Sequence, residues 1–182
     1  MDVMATLSGI EAALARTNGT VTAFLEQLVG EPIDADERCH TITHAGELNS
    51  LQVPVGHPLL KRTVVLRGRS SAKSYVYAES WLVQERLPAV FLRRLETSAH
   101  PIGRILTEED IAFTRVQLPP PDARPAFVEG DVPATATDWA FARKYRIDVS
   151  ATPVMLIVEW FLSSLRSFSP PTIAHTASVE TR

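Results

Sequence analysis

The sequence predicts an α+β fold built around an antiparallel sheet, on three observations. Strand-like runs come in close pairs, 59–68 with 74–83 and 144–150 with 153–162, each joined by a short polar connection. Helical patterns precede these pairs or fall between them, so the chain lacks the strand–helix alternation of a parallel sheet. With 182 residues and 45% hydrophobic content, it has material for one sizeable core.

"SGIEAALAR" opens on Ser8 with Glu11 three residues on, the spacing of a capping box, and predicts a short first helix. "TNG" at 17–19 is a turn. "TVTAFLEQLVG" then sets Val21, Phe24, Leu25 and Leu28 at helical spacing, and Gly30 is a natural stop. "EPIDADERCHTITHA" predicts one or two short strands, because Cys39, Thr41 and Thr43 alternate with His40, Ile42 and His44. "LLKRTVVLRG" and "SYVYAESWLV", joined by "RSSAK", form a β-hairpin. "LPAVFLRRLETS" is a helix with Pro88 in its first turn. "HPIGRILTEEDIAFTR" gives a helical turn, a break and a further short element. The Pro-, Ala- and Asp-rich stretch 118–137 is an exposed excursion and a candidate lid. "KYRIDVS" and "PVMLIVEWFL" form a second hairpin. From Ser163 the composition turns to Ser, Pro and Thr, which predicts a fraying end. The domain is therefore expected over 1–165, with a disordered tail over 166–182.

Basic and acidic residues number 18 and 21, a formal net charge of −3, with no global pull toward nucleic acid or anionic membrane. The single cysteine, Cys39, allows neither an intrachain disulfide nor a cysteine metal cluster. The N-terminus has no basic, apolar leader pattern, and no apolar run approaches the roughly 20 residues of a membrane span. The expectation is a cytoplasmic protein without membrane or nucleic-acid partners, a monomer or weak homo-oligomer. The five histidines show no metal-ligand spacing with a matching carboxylate, so no metal is expected. G-x-S-x-G, P-loop and G-x-G-x-x-G motifs are absent from the sequence.

The unusual residue is Glu159. In strand geometry it shares a face with Met155, Ile157 and Phe161, while Val154, Leu156, Val158 and Trp160 make the other. Both faces are apolar, so the carboxylate must be paired, protonated or lining a polar-ligand cavity. From composition alone the commoner outcome is an ion pair with an arginine on a neighbouring strand; the sharper reading is a ligand site with a protonated acid. Arg62 lies at the start of its strand on the face of Val64 and Leu66. It is either a strand-edge arginine with a solvated head or, turned inward, a bidentate carboxylate receptor. In "HPIGRIL", Ile102 and Gly103 open a helix with free backbone amides suited to a carboxylate, and "TNGTVT" repeats that arrangement.

The blocks "TNGTVTAFLEQL", "KRTVVLRG", "YVYAESWLV", "HPIGRILTEEDIAFTR", "ARKYRID" and "PVMLIVEWFL", in that order over residues 14–163, resemble the chorismate lyase family (chorismate pyruvate-lyase, 4-hydroxybenzoate synthase), and most closely its actinobacterial branch. The resemblance implies a six-stranded antiparallel sheet with helices enclosing a buried cavity. It implies conversion of chorismate to 4-hydroxybenzoate and pyruvate without cofactor or metal. It places Arg62 on the substrate carboxylate, with the backbone amides at Ile102 and Val21 assisting and Glu159 meeting the ring hydroxyl. Arg62 and Glu159 would then be catalytic, and Arg62, Ile102, Gly103, Val21 and Glu159 substrate-binding. The sequence departs from the family at Ile102, where leucine is common, and at Asn18, where an acidic residue is common; the stretch 118–137 is also longer than in the shortest members. The alternatives are a relative acting on another aromatic or enol-ether acid of secondary metabolism, and a sensing domain like those of some GntR-type regulators. For the latter, the sequence before residue 14 is too short to hold a helix-turn-helix.

Overall fold

A computed structural model describes residues 9–14, 20–47, 49–97, 100–122, 125 and 139–168. The expected cap at Ser8, the turn at 17–19, most of the excursion over 118–137, and the tail from 169 lie outside the described residues.

Residues 9–14 are helical (α1), with Ile10, Ala13 and Leu14 buried. Helix α2 (Val21–Val29) starts at Thr20, whose hydroxyl oxygen accepts from the Ala23 amide, and stops at Gly30 in the left-handed region at φ 75°. Strand β1 (Ile33–His44) follows as one 12-residue strand rather than two short ones. A bulge between Glu37 and Cys39 absorbs the irregularity that makes this segment ambiguous as sequence. Strands β2 (Pro58–Gly68) and β3 (Ser74–Leu82) form the first hairpin. Helices α3 (Ala89–Thr97) and α4 (Ile102–Glu108) come next, then the short β4 (Thr114–Leu118). Strands β5 (Trp139–Val149) and β6 (Thr152–Leu162) form the second hairpin.

The six strands among the described residues join one antiparallel sheet in the order β1-β2-β3-β6-β5-β4. The two hairpins meet through β3 and β6 at its centre. Helices α1 and α2 pack on one end of a single face, against Val64, Leu66, Val76, Ala78 and Phe161. Helices α3 and α4 pack on the other end of that face, against Leu82, Tyr145, Ile147, Met155 and Ile157. The opposite face buries Val65, Tyr77, Val158 and Trp160, so β6 is covered on both sides as its two apolar faces require.

The chain does not fray at Ser163. Residues Ser163–Ser167 form a 3₁₀ turn with Leu165 fully buried, and Phe168 packs edge-on against Tyr75. Two apolar anchors in a polar context hold this segment, and composition averages them away. Among the described residues no helix is long and apolar enough to cross a membrane.

Candidate functional site

The two helical layers leave a pocket at their seam. The sheet supplies its floor: Arg62, Val64 and Leu66 from β2, Ala78 and Ser80 from β3, Ile157 and Glu159 from β6, Tyr145 and Ile147 from β5, and Arg115 from β4. The N-termini of α2 and α4 supply its roof, with Thr20, Val21, Thr22, Pro101, Ile102 and Gly103. Five positions singled out in the sequence, Val21, Arg62, Ile102, Gly103 and Glu159, therefore line one pocket although 138 residues separate the first from the last (159 − 21).

The roof is held together by a close approach. A Cβ on Gly103 would lie 2.5 Å from the Thr20 Cβ, so only glycine lets α4 meet the start of α2 here. Arg104 bridges the same pair of helices, donating to the Glu26 carboxylate and to the Ile33 carbonyl. In α2, Thr20 serves the amides of Ala23 and Phe24; in α4, the Pro101 carbonyl serves those of Arg104 and Ile105. The amides of Val21, Thr22, Ile102 and Gly103 come before these, where a helix offers no internal acceptor. The four residues whose amides have no acceptor inside their helices thus all line the pocket.

Arg62 is 2% exposed, which excludes the strand-edge arginine with a solvated head. Its Nε donates to Glu37 Oε2 at 2.5 Å, and its backbone carbonyl accepts from Ser80 Oγ at 3.3 Å. Glu37 is more than a third exposed, so the pair runs from the pocket wall to the surface.

Glu159 is also 2% exposed, and an arginine on the neighbouring strand does pair with it. Arg143 Nε donates to Oε2 at 2.5 Å, and the Tyr145 hydroxyl donates to Oε1 at 2.9 Å. Both oxygens are acceptors, so the carboxylate is engaged as an anion rather than as the protonated acid that apolar surroundings alone suggest. Burial works to lower the Arg143 guanidinium, but the Glu159 charge and then Tyr145 push it above its ordinary value. Burial first, and the Glu159 charge second, push the Tyr145 phenol well up, so it stays a donor at neutral pH. The Arg115 and Arg143 guanidinium carbons lie 4.8 and 5.0 Å from the Tyr145 ring centre, a cation–π pair around the ring.

Arg143, Tyr145, Arg115, Glu37 and Thr22 belong to the site without being among the positions that the sequence points to. The block "ARKYRID" carried Arg143 and Tyr145 on alternate positions, a face signal; nothing local marked Glu37 or Arg115.

The antiparallel sheet, its one helix-covered face and a pocket mixing apolar walls with convergent donors define a small-ligand α+β domain. A sequence model of the family described as Chorismate pyruvate-lyase Rv2949c-like matches residues 16–169, and the chain belongs to that family. It is 30% identical over 169 residues to a chorismate pyruvate-lyase of Mycobacterium leprae, covering 86% of this chain and 76% of the relative. It is 29% identical over 170 residues to the chorismate pyruvate-lyase of Mycobacterium tuberculosis, covering 86% and 81%. Among solved structures, PhnF from Mycobacterium smegmatis is similar with a TM-score of 0.60 at 19% identity, over 87% of this chain and 70% of that one. The effector domain of PhnF gives a TM-score of 0.56 at 18% identity, over 80% and 90%. These two likenesses concern the fold.

Proposed function

We propose that this protein converts chorismate to 4-hydroxybenzoate and pyruvate. The observation that carries the reading is the convergence of Arg62, Glu159 and the amides of two helix N-termini on one pocket. Arg62 on β2 and Glu159 on β6 are separated by β3, so their strands lie about 10 Å apart. A ring fits between the side chains, its carboxylate toward Arg62 and the amides of Val21, Ile102 and Gly103, its hydroxyl toward Glu159. Each carboxylate oxygen accepts more than one hydrogen bond, so Glu159 receives the ring hydroxyl beside Tyr145 and Arg143.

In the reaction the bond between the ring and the ether oxygen breaks. A ring proton is lost, the ring becomes aromatic, and the methylene carbon of the departing enol gains a proton to give pyruvate. The atoms balance without water or an oxidant. What the protein supplies is a fixed reactive conformation and compensation of charge on the departing group. Val64, Leu66, Ile147 and Ile157 hold the ring in apolar surroundings that strengthen these electrostatics.

A second reading is favoured by the Arg143–Glu159 pair, which already satisfies the carboxylate without a ligand. In that case the pocket binds an aromatic acid and does not turn it over. The deciding experiment is incubation of the purified chain with chorismate in the presence of chelator. The lyase reading expects equal amounts of 4-hydroxybenzoate and pyruvate, abolished in Arg62→Ala. Binding of 4-hydroxybenzoate with no release of either product above the uncatalysed rate would establish the second reading.

A further inference from the structure

We infer that the Thr22 hydroxyl is a carboxylate-binding group of the pocket, a role that rests on the reading of the site as one for an aromatic acid. Thr22 is 1% exposed and lines the pocket, yet its Oγ1 has no hydrogen-bond partner. A buried hydroxyl without a partner is costly, on the scale that makes such atoms rare in folded proteins. A threonine inside a helix usually returns its proton to the carbonyl four residues back. Thr22 is the second residue of α2, so the helix itself has no carbonyl four residues back to offer it. The neighbouring capping role is already taken by Thr20.

The surroundings specify what the hydroxyl awaits. It sits at the start of a nine-residue helix, beside the amides of Val21 and of its own residue, for which the helix has no internal acceptor. The Thr20–Gly103 approach holds the start of α4 against this point, and Arg62 lines the same pocket. Donors and positive potential dominate there, which selects an anion with several acceptor oxygens. Tyr145 and Glu159 lie across the sheet on β5 and β6, so the hydroxyl-binding end is elsewhere. Thr22 therefore donates to the carboxylate that Arg62 neutralises, an acceptor that none of its protein neighbours provides.

This gives a signature that a packing role lacks. Thr22→Val keeps shape and removes only the hydroxyl. In the absence of ligand it should leave the melting temperature within about 2 °C of wild type, because the hydroxyl makes no hydrogen bond within the protein. Calorimetric affinity for 4-hydroxybenzoate should fall by about tenfold or more, the worth of a hydrogen bond to a charged group. Affinity for 4-hydroxybenzyl alcohol, which lacks the carboxylate, should be unchanged, and Thr22→Ser should restore acid binding. Acid binding by Thr22→Val equal to wild type, a parallel loss for acid and alcohol, or a serine variant as weak as the valine one would each overturn the assignment. Failure of the aromatic-acid reading itself appears differently, as a wild-type protein that binds neither compound, and it would remove this role as well.

Discussion

Glu159 and Arg143 form a buried pair whose halves depend on each other. The acid is 2% exposed and the arginine side chain 11%. Removing one charge leaves the other uncompensated in an apolar wall, which typically costs about 3–5 kcal/mol. Glu159→Gln should therefore lower stability by that order and also lower kcat on chorismate by about 10–100-fold, the worth of a hydrogen bond to a charged group. Arg143→Met with Glu159→Gln removes both charges and should recover part of the stability without recovering turnover. Melting temperatures and single-turnover rates on the same preparations check this, and a wild-type rate in the folded fraction of Glu159→Gln would make the residue structural only. The isolated carboxylate in "PVMLIVEWFL" was legible as a buried anomaly, but its partner was not. With the two-residue turn at Ser150–Ala151, an uninterrupted hairpin pairs Glu159 with Ala142 and sends Arg143 to the other face. The observed register runs Val149↔Thr152 and Asp148↔Pro153, then Ile147↔Met155. One extra residue of β6 is bulged out, and that shift sets Arg143 opposite Glu159. A single unmarked bulge thus decides which side chain neutralises the acid.

At the scale of elements, the pocket depends on α4 lying close to α2. Gly103 was legible as part of a helix start whose amides are free; its contact with Thr20 was not, because it joins segments about 80 residues apart. Glycine within a helix ordinarily costs about 1 kcal/mol relative to alanine, so propensity alone predicts that Gly103→Ala stabilises the protein. A Cβ placed 2.5 Å from the Thr20 Cβ reverses that sign, since neither atom is the end of a flexible chain. Overpacking of this kind costs about 1–3 kcal/mol. The variant should melt lower, and it should bind 4-hydroxybenzoate less tightly because the roof amides are pushed apart. A higher melting temperature with intact binding would show that the two helices separate freely. The hairpins, by contrast, were legible because their apolar runs and short polar connections are local. The continuous β1 was not, since its bulge at Glu37–Cys39 is set by pairing with β2 and not by its own residues.

At the scale of the whole molecule, the response to acid reflects how the sheet's corner is tied. Glu31, just before β1, accepts from the Ser70 and Ser71 amides at 2.8 and 2.9 Å, from the Ser71 hydroxyl, and from the Tyr75 hydroxyl. It thereby clasps the β2–β3 turn to the link between α2 and β1. The Ser71 hydroxyl first, then the Ser71 amide, hold the Glu31 carboxyl below its ordinary value of 4.5. Asp34 is likewise lowered, first by its hydrogen bond from Arg69, which adds a second tie at the same corner. A carboxyl lowered in the folded state binds protons more readily once unfolded. Its contribution is fully present above the unfolded value and drains away as pH falls through the folded one. Wild-type melting temperature should therefore fall as the pH drops below about 4.5, the side on which these groups differ between the two states. Glu31→Gln cannot titrate and retains only one acceptor oxygen. It should melt lower than wild type at pH 7, with the gap narrowing as the pH falls below 4.5 and through the lowered folded-state value, as the wild-type carboxyl takes up its proton. Melting curves of both proteins at half-unit pH steps measure that gap. A gap that stays constant over the series would mean that Glu31 acts through shape alone, and that the acid sensitivity of the fold arises at other carboxylates.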